Sequence, residues 1–118
     1  MNREIKFRAW NYTKMIYGCA IRNGLITNHI DSFYQPKQAT NYPIMQFTGL
    51  QDNKGEEIYD GDILNVLRKG LGVVEWYNYG FIVRLKDEII WPELFFHVSG
   101  NYSIIGNVYE NPELKTGL

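Results

Sequence analysis

Ile5, Phe7 and Ala9 alternate with Lys6, Arg8 and Trp10 near the start of the chain. A period of two puts each set on one face of a strand. The pattern predicts a strand that buries Ile5, Phe7 and Ala9 and presents Lys6, Arg8 and Trp10 to solvent. Asn11-Tyr12-Thr13-Lys14 supplies a polar turn, and Met15-Ile16-Tyr17 predicts the returning strand of an N-terminal β-hairpin. Residues 18–43 keep no period and are read as a long irregular loop with at most short strands. Loops of that length in a small domain carry function, move, or are ordered by a partner.

Apolar runs resume at Ile44-Met45-Gln46-Phe47, a short strand. Asp52-Asn53-Lys54-Gly55 reads as a turn, because Asp and Asn bond the local backbone and Gly takes positive φ. Ile58-Tyr59-Asp60-Gly61-Asp62 is a second turn and feeds a strand over Ile63-Leu64-Asn65-Val66-Leu67. Lys69-Gly70-Leu71-Gly72 then turns the chain. Val73 to Tyr77 and Phe81 to Leu85 flank Asn78-Tyr79-Gly80, the clearest hairpin in the sequence. Trp91 to His97 is read as strand, or as a helical turn with Pro92 in its first position. Tyr102-Ser103-Ile104-Ile105 is the last strand, and Asn111-Pro112-Glu113-Leu114 one capped terminal turn.

Many short strands between turn signals predict a mainly β fold. The order strand, hairpin, helical turn, strand between Asp60 and Ile105 resembles a small SH3-like barrel. We therefore expect a single domain over residues 1–118. Residues 1–43 would be an N-terminal hairpin and loop, and 44–114 the barrel core.

Composition sharpens this reading in two ways. Aromatic residues make up 15% of the 118 positions, including nine tyrosines. That is more than a small barrel can bury, and Tyr and Trp suit contact surfaces because they pair area with a polar tip. The net charge of −1 argues against a protein held to nucleic acid by bulk electrostatics. Cys19 is the only cysteine, so an intramolecular disulfide and a multi-cysteine zinc site are excluded. The opening residues hold no apolar run of signal-peptide length, and no stretch approaches membrane-spanning length. A cytoplasmic location with no membrane partner is expected.

Four blocks carry a resemblance. They are Arg3-Glu4-Ile5-Lys6-Phe7-Arg8-Ala9-Trp10; Phe47-Thr48-Gly49-Leu50 with Asp52, Gly55, Ile58-Tyr59 and Gly61-Asp62-Ile63; Gly72-Val73-Val74-Glu75-Trp76; and Ile105-Gly106-Asn107-Val108-Tyr109-Glu110-Asn111-Pro112-Glu113-Leu114. In this order they resemble the YopX family of phage and prophage proteins. The resemblance implies a small β-rich protein with a barrel-like domain that forms homo-oligomers in a bacterial host. It implies no activity, cofactor or catalytic residue, and residues 18–43 match nothing in it.

Candidate chemistry is sparse. Cys19 has His29 in the same irregular region, but a reactive thiolate needs a base or cationic surroundings, and Cys19 reads as a small semi-buried hydrophobe. His29 and His97 lack metal-ligand spacing. The Asp52 loop departs from a calcium-binding pattern and places Lys54 inside it. Asp60 and Asp62 flank Gly61, where turn formation outweighs acid–base work. Lys69-Gly70-Leu71-Gly72 lacks the pattern of a phosphate loop.

Three function classes follow from these residues. The favoured one is a non-catalytic, homo-oligomeric module that binds a host or phage protein, with Trp10, Trp76, Tyr77 and Tyr79 as partner or self-contact residues. The alternative is a nucleic-acid-binding barrel using Lys6, Arg8, Trp10, Arg84 and Lys86. An enzyme is disfavoured, since it would need Asp60, Asp62 and a histidine to converge. No cofactor is expected.

Overall fold

The computed structural model describes residues 5–22, 25–28, 37–38, 42–90 and 102–115. The fold is mainly β. Among the described residues no helix is long and apolar enough to cross a membrane. The chain divides into two compact units, Met1–Phe47 and Thr48–Leu118.

The first unit holds β1 (Phe7–Trp10), β2 (Met15–Arg22), β3 (Leu25–Asn28), β4 (Lys37–Gln38) and the first half of β5 (Ile44–Gln51). They pair in the order β4-β3-β2-β1-β5. The N-terminal hairpin forms as expected, with Trp10 opposite Met15. Asn11 builds its turn: Oδ1 accepts from the backbone N–H of Thr13 at 2.9 Å and of Lys14 at 2.8 Å. Tyr12 takes the left-handed conformation there, with φ 73°.

Two features depart from the sequence pattern in this unit. β2 runs eight residues, to Arg22, and β3 pairs with it, so residues 18–22 and 25–28 contribute regular strand rather than irregular loop. Gly18, at φ 66°, is the residue skipped between the Arg8–Tyr17 and Phe7–Cys19 pairs. Glycine meets the left-handed demand of this bulge at little cost. The second departure concerns β1. Ala9 is fully buried against Phe7, Ile16, Tyr42 and Ile44, as the alternation predicts. Ile5, however, is exposed, and Arg8 on the opposite face is buried. β1 lies between β2 and β5, and cross-strand neighbours Tyr17 and Met45 cover the face that carries Arg8.

The second unit contains the rest of β5, then β6 (Glu57–Tyr59), β7 (Asp62–Val66), β8 (Gly70–Tyr77), β9 (Gly80–Arg84), β10 (Ile89–Ile90), β11 (Tyr102–Asn107) and a 3-10 turn over Pro112–Lys115. A curled antiparallel sheet runs in the order β10-β9-β8-β7-β11. Its core is formed by Ile58, Leu64, Val66, Val74, Phe81, Val83, Leu85 and Tyr102, with Leu50, Ile90 and Ile104 packed against it. Leu64 and Val66, Val74, and Phe81 and Val83 are the alternate positions of three adjacent strands, so period two generates this face.

The turn comes before Gly72, and Gly70, at φ 98°, ends it. The turn is Leu67-Arg68-Lys69, closed by Lys69 N–H donating to the Val66 carbonyl at 3.0 Å, with Arg68 at φ 68°. Gly70 and Gly72 already belong to β8. Gly72 is there for room: a Cβ on it would lie 2.5 Å from Val83 Cγ1, a stiff β-branched side chain in the core. The next loop is two residues, Asn78 and Tyr79, between paired Tyr77 and Gly80, and Asn78 takes φ 57°. Asparagine tolerates that conformation, as two-residue hairpins require. The strand or helical turn expected from Trp91 to His97 lies outside the described residues.

Candidate functional site

Asp52 organises the β5–β6 hairpin. The loop Asn53-Lys54-Gly55 is closed by Asp52 N–H donating to Glu56 O at 2.8 Å and Gly55 N–H donating to Asp52 O at 3.0 Å, with Gly55 at φ 83°. The Asp52 carboxylate, 7% exposed, accepts three backbone N–H groups. Oδ1 takes those of Lys54 and Glu56, both at 2.9 Å, and Oδ2 takes that of Ile104 on β11 at 3.0 Å. Burial on its own raises the Asp52 pKa. The bonds from Ile104, Glu56 and Lys54, together with the Lys54 charge, outweigh it and hold the carboxyl below the usual carboxylate range. Nearby, burial and then the Asp52 charge push the Tyr102 phenol up to about 12.

Four more polar residues of these blocks bond turns and loops in the same way. Thr48 Oγ1 donates to Ile58 O at 2.7 Å and accepts from Leu50 N–H at 3.2 Å. Asp62 is buried, and its Oδ2 accepts from Tyr59 N–H at 2.8 Å across Gly61, at φ 89°. The Asp60-Gly61-Asp62 segment is thus a side-chain-bonded turn. Asn107 Oδ1 accepts from Tyr109 and Glu110 N–H, while its Nδ2 donates to Glu110 Oε1 at 2.9 Å. Asn111 Oδ1 accepts from Asn107 N–H at 3.2 Å. These side chains satisfy turn and loop donors that would otherwise be buried without partners.

Among the described residues no group of three His, Cys, Asp or Glu side chains is placed to hold a metal ion. The side chain of Cys19, and all of His29 and His97, lie outside the described structure.

Three of the four aromatic contact candidates come together. Trp76, Tyr77 and Tyr79 occupy the tip of the β8–β9 hairpin. Tyr79 is 94% exposed and Trp76 55%, and Tyr77 is exposed as well. Trp76 shares the face of Val74 but lies past the last core position, edge-on to its partner Phe81 with ring centroids 5.0 Å apart. On the opposite face, Arg84 lies over the Tyr77 ring at 5.7 Å and pairs with Glu75. Trp10 belongs to the first unit, where it ends β1 and donates its N–H to Pro43 O at 3.0 Å.

The basic candidates are placed differently from one another. Arg8 is 2% exposed; its Nε donates to Met45 Sδ at 3.4 Å, and its guanidinium carbon lies 5.8 Å from the Tyr17 ring centroid. It is a packed residue, not the solvent-facing one that alternation predicts. Lys6 Nζ lies 4.7 Å from the centroid of the Phe47 ring. Arg84 is engaged by Glu75, and Lys86 is exposed in the turn that Leu85 N–H closes onto Glu88 O at 2.8 Å.

The sequence matches one family model, described as YopX protein, over residues 6–115. Its structure is similar to the crystal structure of protein EF1440 from Enterococcus faecalis. The two share 25% identity at a TM-score of 0.73, over 96% of this chain and 99% of that one. No curated protein matches the chain.

Proposed function

We propose that this chain, which belongs to the YopX family, is a non-catalytic module that binds another macromolecule through the β8–β9 tip. In this reading it is a phage- or prophage-encoded protein with an SH3-like second unit, acting as a homo-oligomer in the cytoplasm of its bacterial host. The observation that carries it is the exposure of Trp76, Tyr77 and Tyr79 at the tip of one two-residue hairpin, with Trp76 on one face and Tyr77 on the other. Clustered aromatics on a fixed backbone make strong contact anchors, since they lose little entropy on binding. A protein partner is favoured over nucleic acid. A phosphate would compete with Glu75 for Arg84, and Arg8 is packed inside.

The test is capture from the bacterial host with tagged wild-type protein and with Trp76→Ala and Tyr79→Ala, each with and without nuclease. A stoichiometric protein should survive nuclease and be lost with either substitution. Truncating an interface anchor of this kind costs about 2 kcal/mol or more, roughly 30-fold in affinity. Tyr79→Ala should leave the denaturation midpoint within about 0.5 kcal/mol of wild type, because the side chain is at the surface. Capture that is unchanged by both substitutions, or that vanishes with nuclease, would refute the reading.

A further inference from the structure

Among the described residues β11 pairs with β7 along one side only. On its other side, among the described residues, Tyr102 O accepts from Asn53 N–H at 3.2 Å and Ile104 N–H donates to Asp52 Oδ2 at 3.0 Å. A neighbouring strand would supply one N–H and one carbonyl at these places. The hairpin corner supplies the N–H from its backbone and replaces the carbonyl with a carboxylate. The chain then turns away at once, since Gly55 N–H closes back on Asp52 O.

Stripped of that corner, β11 would be a hazardous edge. Tyr102-Ser103-Ile104-Ile105 is uncharged, rich in β-branched and aromatic residues, and free of Pro and Gly, the composition of a segment prone to pair. Ile105 bulges out of register between Ile104 and Gly106 and is 41% exposed. A bulge also blunts an edge, but it leaves Tyr102 and Ile104 to be covered by something else.

We infer that the Asp52-Asn53 corner is an edge guard, occupying the outer side of β11 so that it does not pair with β11 of a second copy of this chain. The second copy is the natural occupant. Its edge is identical, and antiparallel pairing of identical edges closes about a two-fold axis. The guard is distinct from the aromatic tip, and neither reading depends on the other.

Two variants open the edge by different routes. Asp52→Asn replaces one of the acceptor oxygens with a donor. Asn53→Pro removes only the N–H given to Tyr102 O. Residue 53 is the second position of the turn that Gly55 N–H closes on Asp52 O, where Pro is favoured, so this variant keeps the fold. Near-UV circular dichroism confirms folding, and sedimentation velocity reads mass over a concentration series. A folded variant should sediment at a higher mass than wild type, rising with concentration, and adding Ile105→Lys should reverse the shift, because a lysine on an edge strand blocks pairing. If Asp52→Asn loses the fold, Asn53→Pro carries the test. Folded variants that sediment as wild type would overturn the inference. So would association that survives Ile105→Lys.

Discussion

Asp52→Ala should destabilise the protein by about 3–5 kcal/mol, the largest loss expected from any single polar side chain described. One carboxylate serves three backbone donors in a site 7% exposed. Bonds to a charged acceptor are worth about 1.5–3 kcal/mol each, and their loss leaves the N–H groups of Lys54, Glu56 and Ile104 without that acceptor. Against the total of roughly 5–15 kcal/mol typical of a small protein, this is a large fraction. Urea denaturation checks it.

The same carboxylate sets an acid limit. The folded Asp52 pKa is depressed, so its contribution is present above the unfolded value and is lost as pH falls through the folded one. Tyr102 sets an alkaline limit with the opposite sign. Its folded pKa of about 12 is above the ordinary 10.0, so folding favours the neutral phenol. Its contribution is complete below pH 10.0 and lost as pH rises through about 12. Denaturation midpoints across pH should therefore fall at both ends. Asp52→Asn should flatten the acid limb and Tyr102→Phe the alkaline one. A limb that persists in its own variant belongs to another group.

Gly106→Ala should cost about 3 kcal/mol, at the upper end of what overpacking does. The added Cβ would lie 2.4 Å from Asn111 Oδ1, 2.8 Å from its Cγ and 3.2 Å from its Cβ. Asn111 cannot simply swing aside. Its Oδ1 accepts from Asn107 N–H, its own N–H donates to Asn107 O, and Leu114 N–H closes on its carbonyl. Asn111→Gly should be destabilising by itself, through loss of the bond to Asn107. Combined with Gly106→Ala it should cost less than the sum of the two, because the clash goes with the side chain. A double-mutant cycle reads this coupling directly. Additive losses would mean that the clash is relieved elsewhere.

Local pattern was sufficient where local pattern decides. Both tight hairpins, Trp10–Met15 and Tyr77–Gly80, were legible from alternation broken by turn residues. So was the core face of Leu64, Val66, Val74 and Val83. The errors have physical causes. Glycine favours turns, and Gly70 does end one at φ 98°, but Gly72 is required by Val83, which lies on a different strand. Alternation predicts a solvent-facing Arg8, but a two-period says which face a residue takes, not whether that face is covered. Its cover comes partly from Met45, 37 residues away.

The candidate site was legible in residue type and only partly in placement. Trp76 falls on the core face by parity, and pattern alone leaves its burial open. It is 55% exposed although its pair partner Phe81 still belongs to the core. Asp52 was legible as a turn former. Its third bond was not, because Ile104 is 52 positions downstream and no spacing rule reaches that far.

That separation also orders events in time. The β8–β9 hairpin needs only a two-residue closure and can form while the chain is still collapsing. Asp52 meets Ile104 only once the intervening strands have brought β11 into place, so the entropy of closing that long loop falls on the final steps. During synthesis the corner at Asp52 leaves the ribosome well before the strand it covers. Until Ile104 follows, the protein has its turn but not yet its clasp.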